Sequence, residues 1–196
     1  MARRLILMAA AALFLALPSV ASAQETPEDI VSTLNAYWAS VFAQDGLPYT
    51  PPAIQAVTGP TNTPCGPIDV YIAPGAYCDA NATIYYVPNA SENLGDLWAV
   101  LGHEFGHHVL RELGSPGHSL DSELTADCLG GAALKAAVDS GNASPGLAAL
   151  GLRLTNGSGD TFAPVDGQVP HGPGNFRSLA FMSGYNGGPS ACGVGL

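Results

Sequence analysis

The chain has 196 residues, and its sixteen Asp and Glu outnumber its six Lys and Arg, giving a formal net charge of −10. Both nucleic acid and anionic membrane surfaces repel such a polyanion, so neither is expected as a partner. The length suits one domain around one core, and nothing after the first two dozen residues approaches the roughly 20 consecutive apolar residues of a membrane span.

Residues 1–23 read as a cleavable secretory signal: Arg3 and Arg4, an apolar run from Leu5 to Leu17, then Ala21-Ser22-Ala23 as a small-residue cleavage site. An uncleaved anchor is the alternative, but the apolar run is short for one. Cleavage after Ala23 leaves residues 24–196 as a single domain, periplasmic or secreted, without stable membrane insertion. Four Lys and Arg then face sixteen Asp and Glu, a net charge of −12.

Thr26-Pro27-Glu28-Asp29 has the composition of a helix start: a capping hydroxyl, Pro at the first position and acids in the first turn. Ile30, Leu34, Trp38, Val41 and Phe42 form one apolar stripe and Gly46 ends it, so a core helix is expected. Residues 47–67, rich in Pro, Gly and Thr, read as a surface loop. Asp69-Val70-Tyr71-Ile72-Ala73 and Thr83-Ile84-Tyr85-Tyr86-Val87 are β-prone runs between turn residues and predict a hairpin.

The next segment carries the chemistry. Ser91 can cap a helix in which Leu94, Leu97, Trp98, Leu101, Phe105, Val109 and Leu113 recur at steps of three and four, with Gly114 as its stop. On that helix His103 and His107 are one turn apart, with Cβ atoms about 5–6 Å from each other on one face. Two neutral imidazoles so placed can share one divalent metal, and Glu104 beside them can hold and deprotonate a metal-activated water. Gly95, Gly102 and Gly106 each cost a helix about 1 kcal/mol against Ala. A close-packed neighbour or a crowded metal site would account for them. His108 points about 100° from His107 and reads as a packing residue; Arg111 and Glu112 read as solvated.

A catalytic zinc site takes three protein ligands and leaves one position open. Ser119 to Ser140 reads as a second helix, folded back through the short Gly114–His118 connection. His107 lies about 9 Å of helical rise before Leu113, and Glu123 lies one turn into the returning helix, so Glu123 can complete the site. His118, Asp121 and Asp127 are rivals for that place. Asp127, one turn beyond Glu123, can instead accept a hydrogen bond from the far ring nitrogen of His103 or His107. Leu113 occupies the place of a third His six residues after the second, which sets aside the metzincin pattern.

Further along, Pro145–Leu154 reads as a short helix capped by Ser144, residues 156–160 as a flexible turn, and residues 161–174 as another Pro/Gly-rich stretch. Asn175–Ser183 reads as a last helix with Phe176, Leu179, Phe181 and Met182 inward. His171 is a candidate catalytic residue, donating to the oxyanion of a tetrahedral intermediate; a surface or structural histidine is the alternative. Tyr85, Tyr86 and Tyr185 are weaker candidates for that role. The four cysteines of an exported chain predict two disulfides. Three pairings are possible, with Cys65–Cys78 and Cys128–Cys192 favoured.

These motifs, in this order, resemble those of the neutral zinc metallopeptidases of bacteria. The matching segments are His103-Glu104-Phe105-Gly106-His107-His108-Val109 and Ser122-Glu123-Leu124-Thr125-Ala126-Asp127-Cys128-Leu129-Gly130-Gly131. His171-Gly172, Arg177, Phe181, Gly184 and Cys192 follow, and Cys65-Gly66 and Tyr77-Cys78 precede. Leu110 stands where that family usually has Gln, and the stretch between the two helices is shorter here. The resemblance covers residues 60–196. It implies an α+β, zincin-like fold, mostly helical with a small hairpin or sheet beside the motif helix, and one catalytic Zn2+ with Glu123 as third ligand. The run 83–87 would then be an edge strand lining the cleft and pairing with an extended peptide; a sheet that only caps the helices is the plainer reading.

The expected function is a zinc-dependent endopeptidase, with Glu104 as general base and a peptide or protein as substrate. The alternative is a non-catalytic metal-binding or pseudopeptidase protein of the cell envelope. A di-metal carboxylate oxidoreductase needs two Glu-x-x-His helices, and only one is present; no G-x-S-x-G supports a serine hydrolase.

Overall fold

The structure, a computed structural model, describes residues 25–69, 73–88, 94–117, 119–160 and 170–196. The signal reading, the Ser91 cap and His118 lie outside the described residues. The chain is α+β: five α-helices, a three-stranded sheet and a two-stranded ribbon are described.

Helix α1, Pro27–Gln44, starts as its composition dictates. Thr26 and Asp29 form a reciprocal cap, each side chain accepting from the other's backbone N–H. Its buried residues Ile30, Leu34, Trp38 and Phe42 lie on one stripe. Helix α2, Leu94–Glu112, has no such single face: every residue from Leu101 to Leu110 is buried. It is the central helix, packed against α1, the sheet, α3 (Leu120–Asp139) and α4 (Leu147–Gly157).

The glycines explain how closely these elements approach. A Cβ on Gly106 would sit 2.6 Å from the Ala126 backbone, and one on Gly102 would sit 3.2 Å from Gly130 Cα. The α2–α3 contact is therefore backbone against backbone. Gly95 lets the Leu150 side chain of α4 approach the α2 backbone, since a Cβ there would be 2.1 Å from Leu150 Cβ. Helix α5, Gly174–Gly187, closes on α3 through Gly184, whose Cβ would lie 1.7 Å from Cys128 O.

Several expectations need correction. Residues 47–67 are not one loop: they hold β1 (Ala53–Ala56), β2 (Thr61–Thr63) and the start of β3 (Gly66–Ile68). β1 is held by a partner distant in sequence, pairing parallel with β5 (Thr83–Tyr86), so local composition could not disclose it. The hairpin's first strand is β4, Gly75–Cys78, rather than 69–73, of which residues 70–72 lie outside the described residues. Gly75 hid this strand; a side chain there would meet Val100 and Glu104. The sheet order β1-β5-β4 makes β5 the middle strand, so the outer strand beside α2 is β4, not 83–87.

Helix α4 begins at Leu147 and runs through Asn156 and Gly157 into the expected turn. On α5 the inward stripe is Arg177, Phe181 and Gly184, while Phe176 and Leu179 are 44% and 68% exposed. The polar partner of Arg177 and the Gly184 approach fix the helix rotation, and the apolar pair is left outside. Glu112 is not free in solvent, since its carboxylate accepts from Thr50 N–H at 3.1 Å. Disulfides join Cys65 to Cys78 and Cys128 to Cys192.

Candidate metal centre

Burying ionisable groups in a central helix costs several kcal/mol unless each is paired. Helix α2 buries four in six positions: His103, Glu104, His107 and His108 are all at most 7% exposed. His108 is satisfied structurally. Its Nε2 lies 2.8 Å from Thr50 O, an acceptor, so the proton sits there, and Nδ1 accepts from Tyr77 O–H at 3.1 Å. Burial holds its pKa down, keeping it neutral.

His103 and His107 are arranged differently. Their Nε2 atoms face each other at 3.1 Å, with ring planes 89° apart. Glu123 Oε2 stands 3.2 Å from the His103 Nε2 and 3.4 Å from that of His107. Donors around a tetrahedral zinc at about 2.0–2.1 Å lie about 3.3 Å from one another. The three atoms thus form one face of a coordination tetrahedron, and the donor set suits a divalent ion. Glu123 is 3% exposed, so this triangle is screened from water.

Asp127 supports it. Its Oδ1 lies 2.9 Å from His103 Nδ1, and both its oxygens accept from Arg177, Nε and Nη2 each at 2.8 Å. Asp127 is one helical turn beyond Glu123, which is why one helix supplies both. Burial opposes the His103 imidazolium, but Asp127, Glu123 and Glu104 outweigh it and raise its pKa to about 10. A bound cation would take over the charge balance that this proton supplies. Burial likewise opposes the Asp127 carboxylate, yet His103 and Arg177 hold its pKa below the usual range.

Glu104 lies toward the sheet: a Cβ on Gly75 would be 3.0 Å from its Oε1. The start of β4 therefore runs past this carboxylate. His171 comes in from the segment before α5. Its Nε2 is 3.8 Å from Glu123 Oε2, and its ring centroid is 6.1 Å from that of His103. Asp160 fixes it, accepting from the backbone N–H of His171 and Gly172 at 3.0 and 2.8 Å and facing Nδ1 at 3.2 Å. His103, Glu123 and His171 make a second grouping able to hold a metal, with one donor atom of each within 4.8 Å of the others. The His103–His107–Glu123 triangle is tighter and is the better fit.

Of the other sequence candidates, Asp121 is exposed at the start of α3, Tyr85 bonds Asn81, Tyr86 lies in the main core and Tyr185 stacks on Phe181. Arg177, 6% exposed, also donates from Nη1 to Ser158 O and Oγ at 3.2 and 2.9 Å. Sequence reasoning gave Arg177 no chemistry and did not single out Ser158 or Asp160. Their partners are 11 to 50 residues away, beyond any local pattern. No protein-family model matches the chain, and neither a curated protein nor a solved structure is significantly similar to it.

Proposed function

We propose that the chain is a zinc-dependent peptidase, zincin-like in architecture, that acts outside the cytoplasm. The observation that carries this is the buried triangle of two Nε2 atoms and one carboxylate oxygen, 3.1 to 3.4 Å on each edge, with Glu104 next to it on the same helix. His103, His107 and Glu123 would hold the ion. When bound, zinc polarises a carbonyl oxygen and acidifies water.

The chain's own residues supply the rest. Asp127 accepts at His103 Nδ1 and so directs Nε2 to the ion. Glu104, held between α2 and β4, takes the water's proton and returns it to the leaving amine. β4 is the outer strand of its sheet and passes Glu104, so an extended peptide added to that edge would bring its scissile bond to the carboxylate. His171 stands half-exposed at the rim of the site. Two disulfides, and the lack among the described residues of any helix long and apolar enough to cross a membrane, fit an extracytoplasmic site of action.

Hydrolysis of an unfolded protein by the wild type and by Glu104→Gln, with metal content measured in both, tests the proposal. The variant should keep its zinc and lose at least about 100-fold in rate, the scale of general acid–base catalysis. Equal rates, or a zinc-loaded wild type that cleaves nothing, would contradict it.

A further inference from the structure

We infer that His171 is a fourth protein ligand, which closes the metal centre while no substrate is bound. This rests on reading His103, His107 and Glu123 as a metal site, but not on hydrolysis. Those three side chains are buried, whereas the His171 side chain is 48% exposed and lies on the solvent side of Glu123.

The distances are short of coordination by little. Nε2 of His171 is 3.8 Å from Glu123 Oε2, and the donor atoms of His103, Glu123 and His171 fall within 4.8 Å of one another. Ligands of one tetrahedral ion stand about 3.3 Å apart. An approach of about 0.5–1.5 Å toward His103 and Glu123 would bring His171 onto an ion that they hold.

The orientation favours binding over donation. Asp160 grips the segment by three contacts, two to backbone N–H groups and one at Nδ1. An ionised carboxylate only accepts, so Nδ1 is the donor to Asp160 and Nε2 is the ring nitrogen that can turn a lone pair to a metal. A carboxylate on one ring nitrogen with a metal on the other is the usual arrangement of ligand histidines. Asp127 stands in the same relation to His103. With His171 bound, the ion has no position for water or a substrate carbonyl. Substrate must therefore displace the Nε2 lone pair, one donor replacing another with no net proton or electron transfer.

X-ray absorption of the zinc-loaded chain counts the imidazoles directly, without any variant. It should find three in the wild type and two in His171→Ala. Chelator competition should show zinc affinity lowered at least about tenfold in His171→Ala, and lowered in the same direction by Asp160→Asn. Two imidazoles in the wild type, or unchanged affinity in His171→Ala, would overturn the inference while leaving the peptidase reading intact. Three imidazoles in a protein that cleaves nothing would uphold the inference and sink the peptidase reading. Retention of zinc by the double variant His103→Ala/His107→Ala would overturn both.

Discussion

His103 and His108 are neighbours on one buried helix and differ only in what faces them. His108 meets a carbonyl oxygen and a hydroxyl, which satisfy a neutral ring; His103 meets a carboxylate on one nitrogen and a second imidazole and carboxylate on the other. The first arrangement is complete without a ligand, and the second gathers donors around one point. Spacing alone pointed to His103 and His107, because the helical repeat puts residues four apart on one face. Arg177 was legible only as part of a resemblance, since its partner Asp127 is 50 residues earlier. Removing one member of a buried ion pair costs about 3–5 kcal/mol, so Arg177→Met should be destabilised by that amount at neutral pH in chemical unfolding. The Asp127 carboxyl titrates lower in the folded chain than unfolded. The pair's contribution is thus fully present above the unfolded value of about 3.9 and is lost as pH falls through the lowered folded value. The gap between variant and wild type should therefore narrow in acid.

Helices α1 and α3 were readable because caps, stops and periodicity agree in each, and α2 because periodicity and its Gly114 stop agree. The strands were less so, because β1 depends on β5 for its hydrogen bonds and β4 carries a glycine that only its neighbours on α2 explain. The glycines inside α2, costly by propensity, let α3 approach until Glu123 reaches the histidine pair. Gly106→Ala tests this. It gains about 1 kcal/mol in helix propensity, but its Cβ would fall 2.6 Å from the Ala126 backbone, which cannot yield as a flexible side chain would. Overpacking of this kind costs about 1–3 kcal/mol. The variant should show a lower denaturant midpoint and weaker zinc binding, as α3 is pushed away. A midpoint at or above that of the wild type would show that the two helices have room to spare.

Across the whole molecule, the candidate site is assembled from parts that a single fold must bring together: His103 and His107 from α2, Glu123 from α3, the Arg177 support from α5, and His171 from the segment before α5. The Cys128–Cys192 disulfide, spanning 64 residues, ties α3 to the C-terminal end. In the chain-entropy model it constrains the unfolded state by about 4 kcal/mol. Acidity and two disulfides were legible from composition, and the α+β class from the resemblance; the convergence of α3 and α5 on the motif helix was not, because it depends on tertiary packing. The most direct test of the central claim is elemental analysis of the natively purified chain. One zinc per chain is expected, with near-complete loss when His103 and His107 are both replaced by Ala. A folded wild type without stoichiometric divalent metal, or a double variant that retains it, would contradict the account.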